Sequence, residues 1–233
     1  EINSRFENLK KIQNVFLNCF FDNPRTENLF DELVSNETID FSRYNFFYAN
    51  YLSKIGDIKK ARKIVNLALK ESPRNLILNQ YKIDADNFKK ESIFDCKRKD
   101  HVAAEILYIS ANALSAQLIY PLSNFYLNLA KYLNEDFKVF DTLLAENFYK
   151  VENYSNAKEV YKKLSNYGDA FNWYANKQIA KILIEEKNEN ASLALLSKTY
   201  ENLKTKGSYE TFDYAEFLKN NEKFKESIKF YSE

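Results

Sequence analysis

The chain has 233 residues, of which 45% are hydrophobic, and it contains only three glycines and three prolines. So few helix breakers favour long helices over sheets or disorder, and the composition predicts an all-α protein. The 34 basic and 33 acidic side chains nearly cancel, giving a formal net charge of +1. Because no net positive field would attract a polyanion, we expect no nucleic-acid partner.

A degenerate helix pair is predicted at the start of the chain. Residues 4–21 carry apolar side chains near helical spacing, and Asn23-Pro24 ends that helix. Thr26 can cap a second helix that stops near Ser35-Asn36. The chain begins at Glu1 and contains no methionine, so we interpret it as an internal fragment. We expect any targeting signal to lie outside it and no membrane insertion within it.

The clearest two-helix unit spans residues 42–75. Ser42 is the predicted cap of its first helix, Gly56-Asp57 the predicted turn, and Pro73 the predicted end of its second helix. Glycine supplies the left-handed backbone conformation of a turn at little cost, and proline fixes the exit from the unit. A lone helix is predicted over 76–90.

An irregular loop is predicted over residues 91–102, because this segment has no helical period. It would separate an N-terminal block, 1–90, from a C-terminal array, 103–233. Within the array we expect four units, the last one truncated inside its second helix: 104–137, 138–171, 173–207 and 208–233. Turn signals between their helices stand at Tyr120-Pro121, Glu152-Asn153, Lys187-Asn188 and Asn221-Glu222.

Small residues recur at fixed places in these units. Alanine occupies one position in each first helix, with the last four separated by 34, 35 and 35 residues: Ala49, Ala111, Ala145, Ala180 and Ala215. A second small residue follows each of them 12 positions later: Ala61, Ser123, Ala157, Ser192 and Ser227. A period near 34 with two helices means that each unit stacks on its neighbours to bury its apolar face.

This pattern resembles the tetratricopeptide repeat, a 34-residue helix pair with small residues where the two helices cross. Residues 42–75 match best, through Tyr48, Ala49, Leu52, Ala61, Val65, Ala68 and Pro73. Later units match through Ala111, Leu114, Leu127, Ala130, Leu144, Ala145, Phe148, Ala157 and Tyr161, although they lack the terminal proline. The resemblance implies a right-handed α-solenoid of antiparallel helix pairs over 42–75 and 104–233.

The resemblance also implies a binding site, because the first helices of the family line a concave groove that holds a protein or peptide. The positions that would face the groove here are Phe46, Phe47, Asn50, Tyr108, Asn112, Leu143, Glu146, Tyr149, Lys150, Tyr174, Lys177, Gln178, Lys181, Phe212 and Asp213. Such a mixture suits an extended peptide or a partner helix. Solvated helix faces would give the same set, and the sequence leaves that alternative open.

One specialised ligand of the family is not expected. The lysines and asparagines that grip the C-terminal carboxylate of heat-shock chaperones are mostly replaced here, by Tyr108, Leu143, Tyr174 and Gln178. A second candidate surface is the loop at Lys97, Arg98 and Lys99, since loops that interrupt repeats often carry function. A solvated connector is the alternative for this loop.

No catalytic or metal-binding constellation is recognised. Cys19 is expected to be a small buried hydrophobe, Cys96 an exposed loop cysteine, and His101 a residue without a visible partner. Together they lack the spacing of a metal site. We therefore predict a non-enzymatic interaction scaffold without a cofactor. Two alternatives stay open: a docking segment of a larger enzyme, and an RNA-binding helical repeat, which the balanced charge opposes.

Overall fold

The computed structural model describes residues 2–35, 42–87 and 93–231, with side chains from Glu7 onward. Regular structure in these ranges consists of α-helices, and the all-α prediction is confirmed. The helices are α1 (Ile2–Phe20), α2 (Thr26–Val34), α3 (Tyr44–Lys54), α4 (Ile58–Glu71), α5 (Leu76–Asp86), α6 (Lys99–Ala116), α7 (Tyr120–Leu133), α8 (Phe140–Lys150), α9 (Tyr154–Leu164), α10 (Asp169–Glu185), α11 (Glu189–Glu201), α12 (Ser208–Asn220) and α13 (Phe224–Tyr231).

The chain divides into two compact units, which are described separately. Unit 1 is Glu1–Phe140 and unit 2 is Asp141–Glu233. The expected seam at 91–102 falls inside unit 1, and its role as a boundary between the N-terminal block, 1–90, and the C-terminal array, 103–233, stays a prediction. The predicted helix end at Asn36, the end of the predicted lone helix at 88–90 and the start of the predicted loop at 91–92 lie outside the described residues.

Three predicted helix starts differ from the structure. Thr26 is the first residue of α2, and the cap position is held by Arg25. The Thr26 hydroxyl donates to the carbonyl of Asn23 at 2.7 Å. The first helix of the 42–75 unit begins at Tyr44, and Ser42 lies outside it. The helix of the next unit begins at Lys99, five residues before the predicted unit boundary, so the irregular segment ends earlier than expected.

In the five units that carry paired small residues, each hairpin turn contains one residue in the left-handed backbone region. These residues lie five positions before the second small residue of their unit: Gly56, Leu118, Glu152, Lys187 and Glu222, with φ of 94°, 63°, 58°, 59° and 61°. The turn expected at Tyr120-Pro121 is therefore centred on Leu118. Pro121 instead lies in the first turn of α7, where its missing N–H removes no helical hydrogen bond.

The two sets of small residues meet where the helices of a hairpin cross. Ser123 Oγ donates to the carbonyl of Ala111 at 2.8 Å, and Ser227 Oγ makes the same bond to Ala215 at 2.8 Å. In both bonds the serine and the alanine are at most 2% exposed. A small side chain on each side allows the helix axes this close approach. The serine hydroxyl is satisfied there by a backbone carbonyl, so serine and alanine are interchangeable at the second position.

The core of unit 1 is rich in aromatic rings around α3. The Phe47 ring lies 4.6 Å from the Phe94 ring, 5.4 Å from Phe16 and 5.8 Å from Phe137, measured between ring centroids. All four side chains are at most 2% exposed. Edge-to-face and tilted geometries of this kind add to the free energy gained by burying the rings. α3 is thus enclosed by α1, the segment 93–98 and the turn before α8.

The core of unit 2 forms between α10, α11 and α12. Trp173, Ala180, Leu196, Tyr200, Tyr214 and Leu218 make up a buried cluster there. The Tyr200 and Tyr214 rings stack with centroids 4.3 Å apart. Ser192 Oγ donates to the carbonyl of Ala180 at 2.7 Å, which repeats the hairpin contact of unit 1. Successive hairpins in unit 2 therefore share one apolar core, as the repeat pattern predicts.

Candidate partner-binding site

Three successive first helices of unit 2 present a polar and aromatic face. The alanine of each helix is fully buried, at Ala145 in α8, Ala180 in α10 and Ala215 in α12. Residues offset around the helix from these alanines remain at least partly accessible, because side chains three and four positions apart share one face. We call the set Glu146, Tyr149, Tyr174, Lys177, Lys181 and Asp213 the first-helix face.

The first contact across this face joins α8 to α10. Tyr174 Oη donates to Glu146 Oε1 at 2.5 Å, and the Tyr174 ring lies 6.0 Å from the ring of Tyr161. Burial, with the neighbouring Tyr161 and Glu146, raises the pKa of Tyr174 well above its usual value. The phenol therefore stays protonated at neutral pH and keeps its orientation toward Glu146.

Further contacts on the first-helix face connect the same helices and reach α12. Lys181 Nζ lies 4.8 Å from the centroid of the Tyr149 ring, which is cation–π geometry. Lys177 Nζ lies 2.5 Å from Asp213 Oδ2, with the Asp213 side chain only 12% exposed. Side chains from α8, α10 and α12 thus hold one another in place along the face.

The other residues of unit 2 that were predicted to face the groove fall into an accessible group and a buried group. Lys150 is exposed at the end of α8, and Gln178 is half-buried on α10. Phe212 is 48% exposed, and its ring lies 5.8 Å from the ring of Tyr231. Leu143 is only 8% exposed. Its assignment to a binding surface was wrong, because an apolar side chain buried on this helix serves packing instead.

The predicted groove residues of α3 are also buried, and this part of the prediction was wrong. Phe46 is 2% exposed and Phe47 1% exposed. Asn50 donates through Nδ2 to the carbonyl of Phe94 at 2.7 Å. The segment around Phe94 folds across the face of α3 that would otherwise be open, and Phe137 covers it further along. These three side chains therefore belong to the core of unit 1.

Tyr108 of α6 lies beside a buried ion pair. Arg43 binds both carboxylate oxygens of Glu105, at 2.8 Å from Nε and 2.7 Å from the terminal nitrogen. The Arg43 guanidinium carbon stands 3.9 Å from the centroid of the Tyr108 ring. Burial raises the pKa of Glu105, and Arg43 opposes the rise. The half-buried Tyr108 is thus part of a structural cluster, whereas Asn112 on the same helix is exposed.

The basic loop makes contacts within the chain. Lys97 pairs with Asp22 and donates to the carbonyl of Phe20 at 3.4 Å. Arg98 donates through Nε to Asp100 at 3.2 Å. Lys99 begins α6 and is exposed. Two of the three candidate cations are therefore engaged in positioning the loop.

Cys96 is not the exposed loop cysteine that the sequence analysis expected. It is 6% exposed and forms a disulfide with Cys19 of α1, with the two Cα atoms 5.9 Å apart. The burial of Cys19 was predicted correctly, but its disulfide bond to Cys96 was not predicted. An even number of cysteines was the available signal, yet a separation of 77 residues gives no indication of distance in space.

His101 likewise has a partner, contrary to expectation. Its Nδ1 accepts a hydrogen bond from the backbone N–H of Asp95 at 3.0 Å, and the side chain is 3% exposed. The bond crosses the turn into α6, so His101 fixes the segment that carries Cys96. Local sequence around His101 gave no sign of this contact, which depends on the path of the loop.

Sequence reasoning missed an apolar groove in unit 1. It has a volume of about 570 Å³ and is lined by Lys10, Gln13, Asn14, Phe16, Leu17, Phe20, Phe21, Lys99, Val102, Ala103 and Ile106. Leu17 and Phe21 are 56% and 69% exposed. The signal in the sequence was a second apolar stripe on α1, beside the residues that face the core.

The described part of the chain lacks both a metal-binding cluster and a membrane-spanning helix. It contains no cluster of three or more histidine, cysteine, aspartate or glutamate side chains arranged to hold a metal ion. Among the described helices, none combines the length and the apolar character needed to span a bilayer.

Comparison with known proteins gives a distant structural likeness. No protein-family model matches the sequence, and no curated protein matches it. The structure aligns with a solved chain described as MamA MSR-1 C2, at 10% sequence identity and a TM-score of 0.37. The alignment covers 86% of this chain and 97% of that chain. A likeness at this level establishes no shared function, so the assignment depends on the geometry of the chain itself.

Proposed function

We propose that the protein is a non-enzymatic interaction scaffold, and that the first-helix face of unit 2 binds an extended peptide or a partner helix. The observation that carries the proposal is the series of contacts from α8 to α10 to α12. Glu146 with Tyr174, and Lys177 with Asp213, fix side chains from three helices on one accessible surface. A surface already ordered in this way loses little conformational freedom on binding.

The composition of the face indicates the chemistry of its ligand. Tyr149 and Tyr174 offer aromatic surfaces with polar ends, which are enriched at the energetic centres of interfaces. Lys150 and Lys181 are exposed, and neither has an acidic partner among the described residues. A peptide with an acidic side chain near an apolar or aromatic anchor would complement this arrangement.

Selection from a random peptide library tests the proposal. Peptides would be selected against the whole chain, and their affinities measured by fluorescence anisotropy. Tyr149→Ala removes the aromatic surface and Lys181→Glu reverses the cation beside it. We expect each substitution to weaken binding by about tenfold or more, as central interface residues do. Both residues lie at the surface, so circular dichroism should show an unchanged fold.

Lys162→Glu is the matched control for the charge reversal. Lys162 is exposed on α9, away from the first helices, and the substitution makes the same change in net charge. Selected peptides should bind this variant as they bind the original chain. The proposal would be contradicted if the selected peptides bound Lys181→Glu as tightly as Lys162→Glu and if Tyr149→Ala also had no effect on their affinity. The binding surface would then lie elsewhere.

A further inference from the structure

Helix α7 is apolar on two opposite faces. Its inner face packs on α6 through Ser123, Leu127 and Ala130, all of which are fully buried. Its outer face consists of Leu118, in the turn before the helix, with Leu122, Phe125, Leu129 and Tyr132, at 71%, 44%, 57%, 38% and 79% exposure. We call these five residues the outer stripe. A helix that is apolar on two opposite faces is normally covered on both of them.

The spacing of the outer stripe is that of a helix-pairing seam. Its members follow one another at intervals of four, three, four and three residues. Such a heptad spacing keeps the side chains in one line along a helix, and it is the pattern that two helices bury between them. The stripe is therefore continuous over the length of α7.

The other hairpins show that the fold does not require apolar residues at these positions. Aligned on the buried small residue of each second helix, the counterparts of Phe125 are Lys63, Glu159, Ala194 and Lys229. The counterparts of Tyr132 are Lys70, Asn166 and Glu201, and those of Leu122 are Lys60, Asn156, Ala191 and Glu226. Only α7 carries large apolar side chains throughout, so the stripe has a role beyond the hairpin.

The charge on α7 favours a second copy of the chain as the occupant. Between Tyr120 and Leu133 the one charged residue is Lys131, which is half-buried, whereas 29% of the whole chain is charged. A neutral face offers nothing to a charged partner. Two identical neutral faces, in contrast, meet about a twofold axis without repulsion between like charges.

The exposed area of the outer stripe is also sufficient for a dimer interface. An aromatic side chain buries about 150–250 Å² when fully covered and a leucine somewhat less, so the five partly exposed side chains of the stripe offer roughly 100 Å² each. Two copies would then bury roughly 1,000 Å² together, before the flanking residues are counted. This is the size at which specific interfaces begin.

We propose that the outer stripe of α7 is a self-association face, on which α7 of a second copy packs about a twofold axis. The proposal concerns unit 1 alone and does not depend on the proposed function of unit 2. A dimer formed in this way holds two copies of unit 2, so two ligands that are themselves linked would bind with increased avidity.

Sedimentation velocity over a wide range of protein concentration tests the proposal. The original chain should sediment as a dimer or as a monomer–dimer equilibrium, and Phe125→Glu should reduce the association constant by about a hundredfold, since a buried unpaired charge is strongly unfavourable. Leu67→Lys is the matched control. Leu67 of α4 is the counterpart of Leu129 and is 48% exposed, but it lies outside the stripe, so this variant should dimerise normally.

A cross-linking variant keeps the test independent of any loss of folding in Phe125→Glu. Among the described residues the two native cysteines are joined to each other, so a cysteine at Asn128, on α7 beside the stripe, would be the reactive thiol. Asn128→Cys should yield covalent dimers on oxidation, and an Asn156→Cys variant on α9 should not. A monomeric original chain at all concentrations, or dimers unaffected by Phe125→Glu, would overturn the proposal. Binding of a different protein to the stripe of a monomer would overturn it as well.

Discussion

Gly56 and Glu152 occupy the same position in two hairpin turns, with φ of +94° and +58°. Each lies five residues before the small residue of its second helix, Ala61 or Ala157. A side chain in this backbone region is unfavourable by about 1–2 kcal/mol, which glycine avoids. The two turns therefore have the same geometry but differ in conformational strain.

Exchanging the residue type in these turns should shift stability in opposite directions. A Cβ atom at Gly56 would have no neighbour within 4 Å, so Gly56→Ala acts through the backbone alone. We expect it to lower the free energy of unfolding by about 1 kcal/mol, and Glu152→Gly to raise it by a smaller amount. Urea unfolding of the two variants checks this. Destabilisation of similar size in both would contradict the strain argument.

Enlarging a small crossing residue should destabilise its hairpin. Ala145 is fully buried in α8, at the position where Ala111 and Ala180 meet the next helix. Ala145→Leu forces the helices apart, with an expected loss of about 1–3 kcal/mol. Ala194→Leu on the exposed side of α11 is the control, expected to stay within about 0.5 kcal/mol. An unchanged melting temperature for Ala145→Leu would contradict the assigned register.

Removing the Cys19–Cys96 disulfide should destabilise unit 1. The bond spans 77 residues, and a disulfide typically contributes about 2–4 kcal/mol by restricting the unfolded chain, with longer loops toward the upper end. Guanidinium unfolding with and without dithiothreitol measures the effect. A Cys19→Ser/Cys96→Ser variant should match the reduced chain and should not respond to the reductant. A reduced chain with an unchanged midpoint would show that the remaining packing is sufficient without the bond.

His101 should make unit 1 sensitive to mild acid. Burial and the nearby Arg98 guanidinium lower the pKa of His101 below its usual value of 6.5. Above pH 6.5 the imidazole is neutral in both states, but below it the unfolded chain takes up a proton before the folded chain does. Stability is therefore complete above pH 6.5 and is lost as the pH falls toward the lowered folded value.

Urea unfolding at about pH 8 and about pH 5.5 measures this loss, because His101 is the only histidine of the chain. His101→Gln supplies an oxygen that can accept from Asp95 N–H and has no titration in this range. We expect the free energy of unfolding of this variant to differ less between the two pH values than that of the original chain. If the free energy of unfolding changed equally with pH in the original chain and in His101→Gln, the pH dependence would come from carboxylates and not from His101.

The repeat register could be predicted from the sequence because it depends on local geometry. Ser123 and Ala111 are 12 positions apart and lie at similar distances on either side of one turn, so the antiparallel hairpin brings them to the same crossing. The same periodicity placed Glu146, Tyr174, Lys177 and Asp213 on helices whose side chains now prove to contact one another. Whether these residues bind a partner stays a prediction.

What could not be predicted depends on contacts between distant parts of the chain. The position of Phe46 in its unit indicated an accessible groove, but no local pattern indicated that Phe94 and Phe137 pack against the same helix. The bond between Cys19 and Cys96 is of the same kind. Phe94 and Cys96 lie between α5 and α6, where the regular array is interrupted and periodicity carries no information.

The Cys19–Cys96 bond also changes how the chain is connected. Helices α2 to α5 lie on a closed covalent ring, with α1 attached at one end of the bond and the rest of the chain at the other. A protease that cuts once inside this ring leaves both pieces joined through sulfur. Such a nicked molecule would migrate as a single species until it is reduced, so unit 1 can be cut once without being divided.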